Sequence, residues 1–329
     1  MPNVRVSKSD CRTMKKEWYI TFHGGAESTE LNNIHVFSRD GKKLRKALNR
    51  SSLPGHVTLR ELRGFTLGPD GNVYVVNAFE DYSQVLRFAG RLNDDGRHDF
   101  IDVFVEYHDP NNPGLQHPFS VVFDARGDLY VTSQNTSVTL RYHGPHSQAG
   151  LAGKPMPLPS ALRGADEHRF HPGTFCASAT HASNGLKTVR KALFAHGLLY
   201  VVDRDSDCVR KYDAVTGLYQ GHIAAKGFID KPIHLALKDD VLYVGNRGNE
   251  SIVRFNLRDE HVSTFIAPKS GGLRNPAGLA FGDDGYFYVA SRGTRQILRY
   301  RSDDGRPEGK PFIDGLPDDP EFIELISQI

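Results

Sequence analysis

Short apolar runs alternate with clusters of polar and turn-forming residues along most of the chain, and one arrangement of them recurs. Residues 275–300 show it most clearly: a proline and a small residue lead into an apolar run that ends in an Asp-Gly turn. A second apolar run containing Tyr-Val follows, then a polar loop, then a third run that ends in Arg-Tyr. Related copies occupy residues 18–37, 63–88, 117–142, 189–212 and 231–255. Gly, Asp and Asn tolerate the left-handed backbone of tight hairpins, so each copy predicts adjacent antiparallel strands.

The spacing of aromatic residues within the copies is nearly constant. In four copies a tyrosine of the second strand is followed twelve residues later by another aromatic residue. These pairs are Tyr130/Tyr142, Tyr200/Tyr212, Tyr243/Phe255 and Tyr288/Tyr300. Self-similar units of roughly 40–50 residues with several short strands are typical of propeller blades. The six copies predict an all-β, six-bladed β-propeller with four antiparallel strands per blade. We expect the terminal strands to pair and close the ring, with residues 3–7 or 321–329 as the closing strand.

Composition fits a single globular domain over residues 1–329, because 39% of the residues are hydrophobic and 24% are charged. No apolar run approaches the ~20 residues needed to cross a bilayer, so no membrane association is expected. The N-terminus lacks the apolar core of a secretion signal, and the three cysteines are scattered. A cytoplasmic location and a monomeric state are therefore expected. The net charge of +2 is too small to indicate nucleic acid by itself.

One connection between the copies is much longer than the others. Residues 160–187 contain three histidines, two phenylalanines and a cysteine, and they precede an innermost strand of the predicted ring. Long loops in compact domains are usually functional or disordered. The segment is predicted to be a lid over the central channel, with His181 as a candidate substrate contact. The alternative is a surface loop with ordinary polar histidines. His23, in the enlarged loop of the first copy, is a further candidate substrate contact.

Innermost strands crowd together near the axis of a propeller, so small residues are expected there. Gly64, Ser120 and Gly278 occupy one equivalent position, whereas the fifth copy has His234. An imidazole at that position is predicted to point into the channel, and His117 leads into the strand two blades away. Imidazole transfers protons near neutral pH and also binds metals. His117 and His234 are therefore candidate catalytic residues; the alternative is that each caps a strand or fills space.

Cationic side chains recur at the loops expected to surround the upper face of the propeller. Arg204, Arg247 and Arg292 follow the second strands, and Arg63 and Lys231 lead into innermost strands. Guanidinium groups bind carboxylates or phosphates through paired hydrogen bonds, so this set is a candidate substrate-binding ring for an anion. The alternative is pairing with nearby Asp and Glu residues, which would tie the blades together.

Asn77, Asp203 and Asn246 occupy one equivalent loop position in three copies. Oxygen ligands from separate loops suit a hard divalent cation such as Ca²⁺ or Mg²⁺, and a histidine set would suit Zn²⁺. The alternative is that these side chains shape turns, as Asn and Asp often do. No phosphate-binding loop, dinucleotide motif, nucleophile elbow or paired-cysteine zinc motif occurs, so no nucleotide or flavin cofactor is expected.

The recurring Pro-x-Gly-apolar pattern, the turn, and the strand ending in Arg-aromatic resemble NHL-repeat propellers over about residues 18–315. The pattern is also similar to gluconolactonase-like and strictosidine-synthase-like propellers. Their likeness implies six blades and an active site in the central channel, where gluconolactonases hold a divalent cation through Glu, Asn and Asp. Asn77, Asp203 and Asn246 look like such a set. Virginiamycin B lyase-like propellers imply elimination with a metal and a base, and RNA-binding NHL domains imply a basic upper face.

Together these features predict an enzyme that acts on a small, anionic organic molecule in the central channel, through hydrolase-type or lyase-type acid–base chemistry. His117 and His234 would transfer protons or hold a metal, and the arginines would orient the substrate. The rival interpretation is a non-catalytic binding module for RNA or protein on the basic upper face. Fold alone does not distinguish them, because propellers serve many functions.

Overall fold

The computed structural model describes residues 15–25, 29–79, 82–106 and 112–327. The candidate strand at residues 3–7 lies outside the described residues. Within them, the repeats form six antiparallel sheets whose innermost strands contact one another in sequence around a central axis. This arrangement confirms the predicted six-bladed β-propeller. No helix in the described ranges is long and apolar enough to cross a membrane.

The first three blades contain twelve strands. Blade one consists of β1 (Lys16–Phe22), β2 (His35–Phe37), β3 (Lys43–Lys46) and the late strand β23 (Pro320–Ser327). Blade two consists of β4 (Leu62–Leu67), β5 (Val73–Asn77), β6 (Gln84–Leu92) and β7 (His98–Val105). Blade three consists of β8 (Pro118–Phe123), β9 (Leu129–Ser133), β10 (Val138–Tyr142) and β11 (Thr174–Cys176).

Blades four and five follow the same four-stranded plan, and blade six has three regular strands. Blade four consists of β12 (Val189–Ala195), β13 (Leu198–Asp203), β14 (Cys208–Asp213) and β15 (Tyr219–Ile223). Blade five consists of β16 (Pro232–Lys238), β17 (Val241–Asn246), β18 (Ser251–Asn256) and β19 (Val262–Ile266). Blade six consists of β20 (Pro276–Phe281), β21 (Tyr286–Ser291) and β22 (Gln296–Arg301). Short 3₁₀ turns lie at Arg50–Ser52, Ser160–Leu162, Glu167–Arg169, Arg204–Ser206, Ser270–Gly272 and Arg292–Thr294.

The ring closes through a strand from the far end of the chain. Strand β23 pairs antiparallel with β1 over its whole length and forms the innermost strand of blade one. Phe322 and Ile323 lie on opposite faces of β23 and are both 0% exposed, so both faces of the closing strand are buried there. Pairing the two terminal segments satisfies edge groups that would otherwise be open to other chains. The closing strand β23 therefore lies in the second of the two predicted closing segments, residues 321–329.

The constant spacing of twelve residues follows from hairpin register. In blade six, Tyr288 lies opposite Arg299, and Phe287 lies opposite Tyr300. The buried tyrosines of the second strands then fill the gaps between blades by packing against an aromatic ring of the next blade. These ring pairs are Tyr74/Phe123, Tyr130/Phe194, Tyr243/Phe281 and Tyr288/Trp18, with centroids 4.3–4.9 Å apart. Tilted and edge-on contacts of this kind add to the stabilisation from buried apolar area.

The predicted turns adopt the backbone that their sequences require. Gly285 of the blade-six turn has a φ of 83°, and the Lys-Asp-Asp turn of blade five places Asp239 and Asp240 at φ values of 48° and 60°. Glycine reaches this left-handed region without steric cost, and aspartate reaches it more easily than most residues.

Two Pro-containing outer segments do not form regular strands. At residues 153–158, Gly-Lys-Pro-Met-Pro-Leu, the structure shows an isolated bridge from Pro155 to Tyr142. The outer strand is instead β11, which lies within the long insertion. The matching segment of blade six, residues 308–313, forms only an isolated bridge from Ile313 to Ile297. Prolines explain the difference, because they remove donors that a regular ladder needs.

Residues 160–186 make contacts with the outer strands of blades three and four, and Lys187 leads into β12. Ala161 donates its N–H to the carbonyl of Thr216, and Arg210 donates to the carbonyl of Asn184 at 3.0 Å. The segment and the outer strands of blade four enclose a cavity of about 650 Å³ that includes His181. These contacts give no support to the predicted lid over the axis.

Candidate functional site

The innermost strands begin with a register irregularity that shapes the mouth of the channel. In β4, β8, β12, β16 and β20 the pairing with the second strand shifts near the first residues. Such bulges change the direction of side chains and increase local twist. Here they bring the residue just after each strand start toward the axis.

A small polar cavity of about 150 Å³ lies at this mouth. Its charged lining consists of Arg63, Arg190, Arg247, Arg292 and Glu321, and His23, Phe119, Gln134 and Ile233 complete the lining. Three of these arginines and His23 were predicted as substrate contacts. Four guanidinium groups face one carboxylate here, so the cavity carries an excess of positive charge.

One side of the mouth is neutralised by carboxylates. Arg63 pairs with Glu61 and donates to the backbone carbonyl of His23 at 2.9 Å. Glu321 lies 3.7 Å from Arg63 and 3.5 Å from Arg292, and only 1% of its surface is exposed. Among the described residues, one carboxylate oxygen of Glu321 and the Nε of Arg292 have no hydrogen-bond partner. Buried polar atoms of this kind are costly unless a ligand or water satisfies them.

The other side of the mouth keeps its positive charge. Among the described residues, no carboxylate lies within salt-bridge distance of the Arg190 or Arg247 guanidinium. Burial and the neighbouring charge of Arg204 lower the pKa of Arg190 to about 9, although Glu321 acts in the opposite direction. Burial and the charges of Arg292 and Arg204 also lower the pKa of Arg247. A lowered arginine pKa means that nearby negative charge does not offset the burial and like charges that disfavour the protonated guanidinium. A bound anion would supply that negative charge.

His117 lies beside the neutralised side and is partly exposed. Its Nε2 is 3.4 Å from a carboxylate oxygen of Glu61, which also pairs with Arg63. Burial would raise the pKa of Glu61, but its contact with His117 and the charge of Arg63 lower it overall. Burial and the charge of Arg63 lower the pKa of His23. His117 and Glu61 thus form a carboxylate–imidazole pair beside the arginine-lined cavity.

His234 does not join His117 at the mouth. It is 3% exposed, and its ring packs edge-on against Phe322 with centroids 4.9 Å apart. Within the part of the chain that the structure describes, neither ring nitrogen has a hydrogen-bond partner. Burial, with the nearby charge of Lys191, lowers the pKa of His234 well below its usual value. The prediction that it faces the axis agrees with this geometry, but the two histidines occupy different layers.

The three predicted cation ligands form hydrogen bonds within their own blades. Asn77 accepts from the Arg60 N–H at 2.8 Å, and Asn246 accepts from the Asp230 N–H at 3.2 Å. Asp203 accepts from backbone N–H groups of residues 187 and 188 and pairs with Arg210 at 2.7 Å. Each side chain therefore fixes the loop that leads into its innermost strand. Within the described ranges, no group of three His, Cys, Asp or Glu side chains has metal-binding geometry.

The remaining predicted contacts lie outside the cavity. Arg204 is beside the mouth but pairs with Asp205. Lys231 is exposed on the same face, and its backbone N–H donates to Asp207. His181 is exposed at the rim and contacts Thr180 at 2.9 Å.

The repeat comparison missed three charged residues of the mouth. Arg190 and Glu321 follow the first residues of β12 and β23, at the position that Arg63 occupies in β4. Glu61 precedes β4 and has a φ of 49°. Aligning every innermost strand, including the closing strand, could have found Arg190 and Glu321. Glu61 gives no such signal, because it lies in an irregular loop.

No protein-family model matches the chain, and no curated protein matches its sequence. Solved structures do match. A chain of a nidogen/laminin complex aligns with a TM-score of 0.63 and 12% identity, covering 95% of this chain and 100% of that one. The periplasmic gluconolactonase of Pseudomonas aeruginosa aligns with a TM-score of 0.56 and 15% identity, covering 95% of this chain and 99% of that one. The chain shares the propeller fold with these two proteins.

A third similar structure is a catalytically inactive virginiamycin B lyase from Staphylococcus aureus with quinupristin. It aligns with a TM-score of 0.53 and 12% identity, covering 99% of this chain and 95% of that one. These alignments confirm the predicted resemblance at the level of the fold. At such identities they do not transfer an activity, because the propeller serves unrelated functions.

Proposed function

We propose that the mouth of the axial channel binds a small organic anion and that the protein is an enzyme of hydrolase or lyase type acting on it. The observation that carries this proposal is that two arginines lining the cavity, half-buried Arg190 and exposed Arg247, have no carboxylate within salt-bridge distance among the described residues. A guanidinium without a negatively charged partner is unfavourable in such a site unless a ligand supplies the negative charge. The paired N–H donors of arginine suit a carboxylate or a phosphate group. The charge pattern therefore favours an anionic ligand over a neutral one.

The asymmetry of the mouth sets an orientation for that ligand. Its anionic group would contact Arg190 and Arg247, and its reacting end would lie toward Glu321 and the His117–Glu61 pair. His117 would accept a proton from substrate or water, while Glu61 orients the imidazole and stabilises its protonated form. Glu321, shared by two arginines, would exclude a second anionic group from that side.

The size of the cavity limits the ligand. A volume of about 150 Å³ corresponds to roughly five water molecules at liquid density, well below typical drug-sized sites. Small hydroxy acids, their lactones and small phosphate esters fit this range. Gluconolactonase and virginiamycin B lyase among the similar folds support lactone or ester chemistry as the first class to test. No step of this proposal requires a metal, since the predicted ligand set is occupied by loop contacts.

Isothermal titration calorimetry with gluconate, citrate and inorganic phosphate tests the anion site. Arg190→Gln and Arg247→Gln should each weaken binding at least tenfold, about 1.4 kcal/mol or more. Arg258→Gln is a matched control, because Arg258 pairs with Asp240 at a distant, exposed turn. Equal affinity in all four proteins would contradict the anion site.

Turnover is tested separately with a panel of small lactones and aryl esters. His117→Gln should lower kcat at least a hundredfold, as expected for loss of a general base, while anion affinity stays within about threefold. A His117→Gln protein with full activity would refute the catalytic assignment and leave the anion site standing.

A second candidate is a non-catalytic module that binds protein or RNA on the same face. Lys231 and Arg247 are exposed there, and one similar fold comes from a complex between two proteins. RNA binding that weakens steeply with salt would favour it, as would the absence of turnover with retained anion binding. A cytoplasmic location and a monomeric state remain proposals that accompany either function.

A further inference from the structure

Three charged side chains of the arginine-lined cavity are almost completely buried. Arg63 is 4% exposed, Arg292 8% and Glu321 1%, whereas Arg190 is half-buried and Arg247 is exposed. The three buried side chains come from different parts of the ring, because Arg63 lies in β4, Glu321 in β23 and Arg292 just after β21. Among the described residues, the cavity therefore contains two unlike groups: an accessible pair of cations without a carboxylate partner, and a buried pair of cations that share one carboxylate.

The buried pair surrounds Glu321 at distances too long for direct hydrogen bonds. The Oε2 atom of Glu321 lies 3.5 Å from Nη1 of Arg292 and 3.7 Å from Nη1 of Arg63, whereas charge-assisted hydrogen bonds measure about 2.7–2.9 Å. Within the described part of the chain, that oxygen and the Nε of Arg292 have no hydrogen-bond partner. Buried charges are costly without hydrogen bonds, and a polar atom between the carboxylate and the guanidinium groups would supply the missing bonds.

Other contacts hold the two sides of this gap in place. The carbonyl oxygen of Glu321 lies 3.0 Å from the point that a Cβ on Gly278 would occupy, and β23 is paired with β1. Arg63 is anchored by its ion pair with Glu61 and by its hydrogen bond to the carbonyl of His23 at 2.9 Å. Closing the gap by moving either side would disturb these contacts, so a small group between them is the less costly way to satisfy the buried atoms.

The chemistry of the gap selects the group that fits it, because the gap offers one carboxylate acceptor and two guanidinium donors. A hydroxyl has one donor and two lone pairs, so it can donate to Glu321 and accept from Arg63 and Arg292 at once. An ammonium group has three donors and no acceptor, and both guanidinium groups would repel it. A second carboxylate would be repelled by Glu321, and a methylene group would leave all three partners unsatisfied.

We propose that Arg63, Arg292 and Glu321 form a hydroxyl subsite in which Glu321 is the specificity-determining residue. The mouth then selects small acids that carry a hydroxyl within a few bonds of the anionic group. This inference rests on the proposed anion site, because Arg190 and Arg247 would hold the charged end of the same ligand. The carbon skeleton between the two ends would contact the apolar lining of the cavity, Phe119 and Ile233.

A series of matched three-carbon acids tests the subsite on the full-length protein. The probes are both enantiomers of lactate, 3-hydroxypropionate, propionate, 2-methoxypropionate and alanine, and their dissociation constants are measured by ligand-detected NMR relaxation, which suits weak binders. The tightest of the hydroxy acids should bind more tightly than propionate by about tenfold or more, because a site built around a hydroxyl rejects the analogue that lacks it. The methoxy oxygen accepts but cannot donate to Glu321, so 2-methoxypropionate should bind no better than propionate, and alanine should bind more weakly.

A pair of variants separates the buried carboxylate from the general charge of the mouth. Glu321→Gln should lower the preference for the hydroxy acid over propionate by about threefold or more, because a neutral acceptor forms a weaker hydrogen bond than a carboxylate. Asp319→Asn is the matched control: it removes a carboxylate 3.9 Å from Arg292 that does not line the cavity, and it should keep the preference. Circular dichroism and urea unfolding check that both variants fold, and the series on the original protein decides the question if Glu321→Gln does not.

The outcomes distinguish this inference from the anion site. Equal dissociation constants for propionate and every hydroxy acid would overturn the hydroxyl subsite and leave the anion site standing, with water between the charged groups. Binding of 2-methoxypropionate as tight as that of lactate would overturn the role of Glu321 as acceptor, and so would an unchanged preference in folded Glu321→Gln or an equal loss in Asp319→Asn. Failure of every acid to bind would overturn the anion site and the subsite together.

Discussion

Replacing Glu324 by Gln should change how the stability of the protein depends on pH. Burial raises the pKa of this carboxyl from an ordinary value of 4.5 to about 7, with Lys191 acting in the opposite direction. Between these values the folded protein holds a proton that the unfolded chain has released, so stability falls as pH rises through the window. Each unit of difference between the two pKa values corresponds to about 1.4 kcal/mol of unfolding free energy. The loss of stability is complete above pH ~7 and reaches at most about 3 kcal/mol, because part of the carboxyl remains hydrated.

The measurement is the free energy of unfolding in urea, followed by circular dichroism at pH 5, 6, 7 and 8. Glutamine stays neutral, so the variant should gain stability relative to the original protein as pH rises, by up to about 3 kcal/mol between pH 5 and 8. Other groups titrate in both proteins and largely cancel in the difference. His35 is one: burial lowers its pKa to about 4, and its effect on stability has the opposite sign. The reasoning is refuted if the difference between the two proteins stays constant with pH, and exposed Glu167→Gln is the control.

Three further changes test the packing around the axis and the loops. Asp203→Ala should cost about 3–5 kcal/mol, because it leaves the buried partner Arg210 unpaired, and urea unfolding should show a lower midpoint with the same slope. Phe322→Ala should cost about 3–5 kcal/mol, because the fully buried ring contacts Phe119 and His234; unchanged stability in urea unfolding would contradict its buried place among the innermost strands. Gly278→Ala should cost about 1–3 kcal/mol, because the new Cβ would lie 2.7 Å from the Ile323 nitrogen; a neutral result in thermal unfolding would show that the strands can separate.

Much of the fold was predictable because local chemistry repeats. The hairpin turns and the alternation of apolar runs specify the central hairpins of each blade without long-range information, and the twelve-residue spacing of pairs such as Tyr288 and Tyr300 follows from register alone. The outer strand of blade three was not predictable in this way. That strand, β11, follows a long irregular segment of the chain. A Pro-rich stretch at residues 153–158 lies nearer in sequence to β10 and has a similar pattern of apolar residues.

The site was predicted less completely, for a physical reason. Arginines at equivalent loop positions indicated a basic mouth, and the small residues at Gly64 and Gly278 indicated crowding, which the close backbone approach of β23 to Gly278 confirms. Whether an arginine is paired depends on carboxylates from other blades, such as Glu321, and sequence spacing contains no information about those contacts. The same holds for Phe322, which a distant strand carries to the axis.

The pairing of β23 with β1 also constrains how the protein is made. Translation releases β1 early, yet its partner emerges only after every other blade has left the ribosome, so the outward backbone groups of β1 must wait without their native neighbour. Until that moment the nascent chain is an open arc, and the basic mouth, with Glu321 still unsynthesised, lacks the carboxylate shared by Arg63 and Arg292. The carboxylate that Arg63 and Arg292 share at the mouth therefore arrives only when β23 joins β1, in the same event that closes the ring.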